Sequence, residues 1–471
     1  MSKRLKPLDI FKYLPKTNCK ICGEETCMAF AMKLIERETE LALCTPLFDE
    51  SKYQENKDTL IVMLRPPVQP VRIGSGEKSV IVGGEEVVYR HELTFYNETK
   101  IFIDVHDEMD SKELAERVNF VDEYAVFRIG VNLKLDGIAV RSVSRDPAKF
   151  AKTVEEVLKL ADLPLVLCTF DPNVMKSGLE ATKGKRPLIY AATAVNWEEM
   201  AKLAMEYNCP VAVFSTDLTT LNSTAIALQK AGIDEIVLDP GTYFGENIGT
   251  TLNTFTMLRV AAIEIGEESV GFPLMGVPAT VYLDGDKGTE SAWNETIVGS
   301  MMIDRFASML IVHTVELWSL LALLTLRQTI YTDPRIHPAV DAGLIKIGNP
   351  GEDSPVFLTT NFALTFYTVK TDLEQAAIDS WLLTVDTEGI GVESAVAGGQ
   401  LNAGAVADLI KETDLEEKVK HKKLIIPGMA ARISGETEDA TGGWQILVGP
   451  RDSSAIPKFL KQNWEISEAS A

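Results

Sequence analysis

Four of the six cysteines in this chain of 471 residues fall within its first 44 positions, in the order Cys19-x2-Cys22-x4-Cys27-x16-Cys44. In an intracellular setting such spacing speaks for metal binding over disulfides. Short loops that turn several thiolates inward are what an iron-sulfur cluster requires. Zinc is the main rival, but a structural zinc site usually pairs two Cys-x2-Cys knuckles. Only one such pair occurs here, and the fourth cysteine follows an amphipathic helix expected from Met28 to Leu41. The expectation is therefore a 4Fe-4S site at Cys19, Cys22, Cys27 and Cys44, with four buried structural thiols as the plainer alternative. Cys168 and Cys209 sit in or beside apolar, strand-like runs and read as core residues.

A second set of residues lies near the other end of the chain. Three loops rich in small residues, Thr387-Glu388-Gly389-Ile390-Gly391, Pro427-Gly428-Met429-Ala430-Ala431 and Gly449-Pro450-Arg451-Asp452, each follow a short apolar run. In open α/β sheets ligands lie against loops outside the strand ends, and small residues let a large planar ligand approach the backbone. Glycine also commonly just closes a turn, and that plainer role stays open for each loop.

The elements that must position these residues follow from apolar periodicity. Eight apolar runs recur from about Lys100: Ile101–Val105, Tyr124–Ile129, Leu165–Phe170, Leu188–Ala192, Val211–Ser215, Glu235–Asp239, Gly271–Met275 and Met309–His313. Amphipathic helices alternate with them, such as Pro147–Leu160, which Asp146 would cap, and Trp197–Tyr207. Repeated βα units of this kind imply a parallel sheet, and eight is the number a closed barrel wants. Chemistry in that fold sits at the carboxyl ends of the strands, which would present Asp171, Asn173, Asn196, Asp217 and Asp239. Helix capping is the plainer role for most of these.

The expected organisation is a 4Fe-4S domain over residues 1–60, a β-rich connector over 61–99, a TIM-type barrel over 100–330, a Pro/Gly/Asp-rich linker over 331–355 and a small open α/β, flavodoxin-like domain over 356–471. Within the last, strands are expected at Val356–Thr359, Leu364–Val369, Leu382–Asp386, Lys423–Ile426 and Trp444–Val448. The stretch Gly83–Glu92 reads as a hairpin layer. The formal charge of −22 argues against nucleic acid, since no basic stripe interleaves with aromatics. Met1–Tyr13 has no apolar segment or cleavage site, so a cytoplasmic protein is expected. Phe306–Leu326 is apolar enough to resemble a membrane span, but His313 and Glu316 within it fit a buried strand and core helix better.

Leu14-Pro15-Lys16-Thr17-Asn18-Cys19 with the following cysteines, Met28-Ala29-Phe30-Ala31-Met32, Tyr89-Arg90-His91-Glu92, Asp386-Thr387-Glu388-Gly389, Ile426-Pro427-Gly428 and Val448-Gly449-Pro450-Arg451 stand in one order along the chain. In these segments the sequence resembles the large (gamma) subunits of corrinoid iron-sulfur proteins of the acetyl-CoA decarbonylase/synthase complex, in the methanogen-type branch. The resemblance implies a corrinoid held by the C-terminal domain, at Thr359, Thr365, Thr387, Glu388, Gly389, Ile390, Gly391, Gly428, Met429, Gly449, Pro450, Arg451 and Asp452. It implies a small (delta) subunit as heterodimer partner, and acetyl-CoA synthase and CO dehydrogenase subunits beyond it.

The implied activity is methyl transfer. Co(I) would accept a methyl group from a methyl-tetrahydropterin, the 4Fe-4S cluster would return oxidised Co(II) to Co(I), and the methyl would be exchanged with acetyl-CoA synthase. Many corrinoid modules supply a histidine to cobalt from Asp-x-His-x-x-Gly. The nearest match here, Asp104-Val105-His106-Asp107-Glu108-Met109, ends in methionine and lies at the first barrel strand, and the C-terminal domain's only histidine is His421. A base-off cobamide without a protein histidine ligand is expected. Asp171, Asn196 and Asp239 are the expected pterin contacts if the barrel itself performs the transfer. The alternatives are a carrier and electron-transfer protein served by a separate methyltransferase, and a barrel enzyme that has lost its corrinoid.

Overall fold

A computed structural model describes residues 5–464 of the chain. It divides into two compact units, one holding residues up to Val126 and Leu133–Thr332, the other Phe127–Asn132 and the residues from Asp333 onward.

The first unit is built on eight parallel strands closed into a barrel in sequence order: β1 (Lys100–His106), β2 (Gly137–Arg141), β3 (Leu165–Cys168), β4 (Leu188–Ala192), β5 (Val211–Phe214), β6 (Ile236–Asp239), β7 (Leu274–Gly276) and β8 (Ala307–Val312). Seven of the eight expected runs supply a barrel strand. The exception is Tyr124–Ile129, whose β-branched and aromatic residues do form a strand, Ala125–Arg128, but one that pairs with Val131–Lys134 in a separate two-stranded sheet. The second barrel strand is Gly137–Arg141, which Gly137 admits: a Cβ there would meet the Phe102 ring and the Pro164 carbonyl at 2.4 Å.

Alternation along each strand sorts the barrel into two cores. Ile101, Ile103 and Val105 face the surrounding helices, whereas Phe102 faces inward with Ala139, Val166, Leu188, Ala212, Val237, Met275 and Met309. A hairpin of Val71–Ile73 and Val80–Val82 adds Val71, Ile73 and Val82 to that inner core. It docks on residues that precede strands, with Gln69 N–H donating to the Gly271 carbonyl and Gly74 N–H to that of Arg186, both at 2.8 Å. The amino end of the barrel is thereby plugged, so only the carboxyl end is left for a ligand. Gly83–Glu92, expected as a hairpin layer, contains no strand. Glu85 instead reaches into the barrel wall, pairing with buried Arg259 at 3.3 Å and accepting from Ser308 Oγ at 3.1 Å.

Four helices of this unit start on an aspartate that accepts hydrogen bonds from first-turn amides: Asp110, Asp146, Asp171 and Asp217. Each such cap stabilises its helix by about 1 kcal/mol, and each fixes where a βα loop ends.

The second unit is a five-stranded sheet in the order β9-β11-β10-β12-β13, with β9 (Gly343–Ile347) antiparallel and β10 (Val356–Thr360), β11 (Ser380–Val385), β12 (Lys423–Ile426) and β13 (Gln445–Val448) parallel. The stretch expected as a linker over 331–355 thus contributes an edge strand. Leu364–Val369, expected as a strand, lies in the helix Ala363–Gln375. Its β-prone composition is overridden because Ala363, Phe366 and Leu373, at helical spacing, are buried. The chain leaves β10 for β11 on one side and returns to β12 on the other, so the switch in strand order lies between β10 and β12.

Candidate functional sites

The four N-terminal cysteines surround one small hollow, lined also by Thr17, Asn18, Lys20 and Phe30. Lys16, Asn18 and Lys20 take left-handed backbone conformations, which curl the segment around Cys19. Asn18 Oδ1 accepts the Cys27 amide at 2.8 Å, and Thr26 caps the helix Cys27–Glu36 by accepting the Ala29 amide. That helix is five residues shorter than expected at its end, closed by left-handed Arg37. Cys27 and Cys44 rest on a core of Ile10, Leu14, Phe30, Leu34 and Leu47, while Cys19 is exposed.

Burial first, with the nearby Cys27, Cys22 and Cys19 adding to it, holds the Cys44 thiol up at about 11. Four thiolates so close repel one another unless positive charge lies between them, which is the condition an iron-sulfur cluster satisfies. Among the described residues no three His, Cys, Asp or Glu side chains are grouped for a single metal ion. The donor set, four cysteines around one hollow with Cys19 exposed, fits the chemistry of a cluster.

In the second unit a cavity of about 370 Å³ opens between β10, β12, the loop after β13 and the helix Ala363–Gln375. It lies at the switch point, and Thr359, Thr365, Met429, Gly449, Pro450, Arg451 and Asp452 line it, as do Leu364, Thr368 and Ile456. Thr359 is fully buried and its Oγ1 has no hydrogen-bond partner. An orphaned hydroxyl costs about 1–3 kcal/mol, a deficit that a polar ligand arm would remove. Gly428 lies behind this wall: a Cβ would meet the Gly449 carbonyl oxygen at 2.8 Å and Arg451 N at 2.9 Å. Glycine here lets the two loops close on each other.

Thr387, Glu388, Gly389, Ile390 and Gly391 do not line the cavity. They form a loop organised by Asn361, a residue that sequence reasoning missed. Its Oδ1 accepts from the Thr387 amide and hydroxyl and from the Gly389 amide, all within 3.0 Å, and its Nδ2 donates to Asp386. Left-handed Glu388 and Gly389 complete the turn, and Val392, which follows it, touches the cavity. The cavity is smaller than a whole cobamide and fits one part of it, with apolar walls and a few polar groups, as cofactor sites have.

At the carboxyl end of the barrel the inward layer turns polar. The parity that puts Phe102, Ala139, Leu188, Val237 and Ile311 inside also puts Asp104, Arg141, Tyr190, Asp239 and His313 inside, together with Cys168 and Phe214. Asp104 is buried and holds Arg141 Nε and His313 Nδ1, each at 2.6 Å. Burial works to raise its carboxyl, but His313, Arg141 and Arg117 outweigh it and keep it below the usual range. Across the barrel, Tyr190 donates to Asp239 Oδ2 at 2.7 Å and the Gly241 amide to Oδ1 at 2.8 Å. Burial holds the Asp239 carboxyl up at about 6, against the pull of those two donors. Phe170, Tyr190 and Phe214 form a trio of rings with centroids 5.8–6.4 Å apart.

Asp171 and Asn196, the other two expected pterin contacts, and the strand-end residues Asp217 and Asn173 have structural duties. Asp171 caps the helix Pro172–Thr182. Asn196 is buried, accepts from the Thr193 amide and hydroxyl, and donates to the carbonyls of Phe170 and Ala191, so it ties the loop after β3 to the end of β4. Asp217 is a cap and Asn173 lies in a helix's first turn.

Comparison with known proteins assigns these features to a family. A model described as the CO dehydrogenase/acetyl-CoA synthase delta subunit matches residues 70–460, and one described as a putative Fe-S cluster matches residues 14–46. A gamma subunit of the acetyl-CoA decarbonylase/synthase complex from Methanosarcina acetivorans is 47% identical over 464 residues, covering 97% of this chain and 98% of that relative. The chain belongs to the gamma-subunit family of that complex. Gamma subunits from Methanothermobacter thermautotrophicus, 47% identical over 455 residues, and Archaeoglobus fulgidus, 44% identical over 468 residues, also match nearly end to end. The family and the two matched modules support a methyl-carrier role in acetyl-CoA metabolism, with an iron-sulfur cofactor. A solved dihydropteroate synthase from Xanthomonas albilineans aligns with TM-score 0.41 and 16% identity, over 56% of this chain and 100% of that one. Among the described residues no helix is long and apolar enough to cross a membrane.

Proposed function

We propose that this chain is a cytoplasmic corrinoid and iron-sulfur methyl carrier that takes a methyl group from a methyl-tetrahydropterin and exchanges it with acetyl-CoA synthase. When bound, a base-off cobamide would supply the cobalt nucleophile, and a 4Fe-4S cluster the low-potential electron that restores Co(I) after accidental oxidation. The observation that carries the reading is the cavity at the switch point, where a buried, partnerless Thr359 hydroxyl faces loops that glycine allows to close.

Each residue set has its own work. Thr359 and Thr365 offer hydroxyls to the cobamide's polar arms, while Leu364, Met429 and Pro450 give it apolar contact. The loop Thr387–Gly391, held by Asn361, flanks that site. His421 donates from Nε2 to the Ser354 carbonyl, and its Nδ1 accepts the Lys423 amide, so both ring nitrogens are engaged. This supports a cobalt without a protein histidine. Cys19, Cys22, Cys27 and Cys44 hold the cluster, with exposed Cys19 as the edge where an electron enters.

In the barrel mouth, Asp239 has acceptor capacity beyond Tyr190 and Gly241 and would take N–H donors of the pterin ring, with the Phe170, Tyr190 and Phe214 rings beside it. Asp171 and Asn196 fix the loops around that place. A second reading, a carrier served by a separate methyltransferase, has one observation in its favour: the Asn196 amide is spent on backbone. The small (delta) subunit is the proposed heterodimer partner, with acetyl-CoA synthase and CO dehydrogenase subunits as further partners. Cobamide binding to the anaerobic full chain, with the delta subunit, tests the carrier reading by absorption spectroscopy. Leu364→Trp, at a half-exposed cavity position, is expected to weaken binding at least tenfold, and unchanged binding would remove the cavity from the reading.

A further inference from the structure

The pterin reading uses one wall of the barrel mouth and leaves the facing wall unexplained. In an eight-stranded barrel β1 lies opposite β5, so β8, β1 and β2 face the Tyr190 and Asp239 of β4 and β6. On that wall three inward side chains form one unit. Asp104, 1% exposed, binds His313 Nδ1 and Arg141 Nε, and Arg117 braces it by donating to the Asp104 and His313 carbonyls. His313 is tied at a second point: its amide donates to Glu295 Oε1 at 2.5 Å, and its ring meets Tyr282 edge-on at 4.5 Å.

The result is an imidazole fixed in orientation with one nitrogen spoken for. Nδ1 faces a buried carboxylate, whereas Nε2 has no partner among the described residues, and the side chain is 28% exposed. A carboxylate that anchors one ring nitrogen and leaves the other at an open site is the arrangement by which proteins move protons. A histidine serving packing alone would not need a buried charge held by two arginines beneath it, since an unpaired buried carboxylate is costly.

We infer that His313 is the proton donor of the barrel mouth, giving the Nε2 proton to a basic amine nitrogen of the methylated, reduced pterin. This rests on the pterin reading above and names the group that acts on the bound ligand. The imidazolium N–H bond breaks and its electron pair stays on Nε2, while the amine lone pair takes the proton. The ligand becomes a cation, and the ring becomes neutral with its proton on Nδ1 toward Asp104. A protonated amine releases its methyl group to a nucleophile far more readily than a neutral one. Arg141, whose side chain is 40% exposed, borders the same opening and offers its remaining N–H groups to an oxygen of the ligand.

The charged and titratable groups facing His313 come from four elements. They are Asp104 on β1, Arg141 on β2, Arg117 on the helix Ser111–Glu123 and Glu295 on the helix Thr289–Asp304, with Tyr282 against the ring. The test is calorimetric binding of 5-methyltetrahydromethanopterin to the anaerobic full chain between pH 6 and 8, in two buffers of different ionisation heat. For the natural protein, affinity is expected to rise about tenfold as pH falls across this range, with net proton uptake at the upper end. His313→Asn and His313→Gln are each expected to bind more weakly than the natural protein, to show a pH slope at least threefold shallower, and to lose the uptake at the upper end. Binding in both variants that keeps the natural pH slope would overturn the His313 assignment and leave the pterin site standing. Absence of binding to the natural protein at every pH would overturn both.

Discussion

Tyr190 donates its hydroxyl to Asp239 Oδ2 at 2.7 Å inside the barrel, where burial keeps the carboxyl at about 6. The folded value lies above the ordinary 3.8 of an unfolded aspartate, so the fold prefers the protonated form. Its contribution to stability is present below pH 4 and lost as pH rises to 6, leaving a cost on the order of 3 kcal/mol at neutral pH. Asp239→Asn should therefore gain about 2 kcal/mol relative to the natural protein between pH 4.5 and pH 7.5. Thermal unfolding of both at the two pH values checks this, and parallel curves would count against the buried-charge account. Tyr190→Phe should destabilise at pH 7.5 by about 1.5–3 kcal/mol, because the carboxylate loses a donor.

Removal of any one thiol tests the cluster. Cys27→Ala and Cys44→Ala, at buried positions, are expected to abolish iron and sulfide binding, whereas Cys19→Ser at the exposed edge should leave a reconstituted cluster that is lost quickly in air. Iron and acid-labile sulfide assays distinguish the three. Equal, full iron content in all of them would reassign the segment as packing.

Thr359→Val separates ligand binding from folding. Its hydroxyl is buried and partnerless without ligand, so the isosteric change should raise the melting temperature of the ligand-free protein, by about 1 kcal/mol in stability. The same change should weaken cobamide binding severalfold. A variant that is less stable and binds normally would show that the hydroxyl serves the fold.

Gly428→Ala should cost about 1–3 kcal/mol, since the new Cβ falls 2.8 Å from the Gly449 carbonyl oxygen and backbone must shift. Cobamide binding should fall with it, because Gly449–Asp452 line the cavity. Unfolding and binding titrations on one preparation read both effects.

Most of the architecture was legible because the barrel strands are buried on both faces and read as unbroken apolar runs. The exceptions have local causes. Tyr124–Ile129 has the composition of a strand and is one, but pairing, which no local pattern reveals, takes it out of the barrel. Leu364–Val369 is β-prone, yet the burial of Phe366 and Leu373 makes it helical. The iron-sulfur segment was legible because four cysteines crowd one stretch of the chain. Asp104, Arg141 and His313 were not, because they come from strands distant in sequence. Their only local signal is a polar residue at an inward position in an apolar strand, and Asp104 also stands in the incomplete cobalt-ligand motif Asp104-Val105-His106.

The most direct measurement is an electron paramagnetic resonance spectrum of the anaerobically purified chain with its delta partner, from a host supplied with cobamide and with 15N-labelled histidine. A base-off Co(II) signal whose hyperfine pattern is unchanged by the label, beside a reducible 4Fe-4S signal lost in Cys27→Ala, is the result predicted. A cluster signal without cobalt, or a cobalt signal altered by the label, would contradict the account.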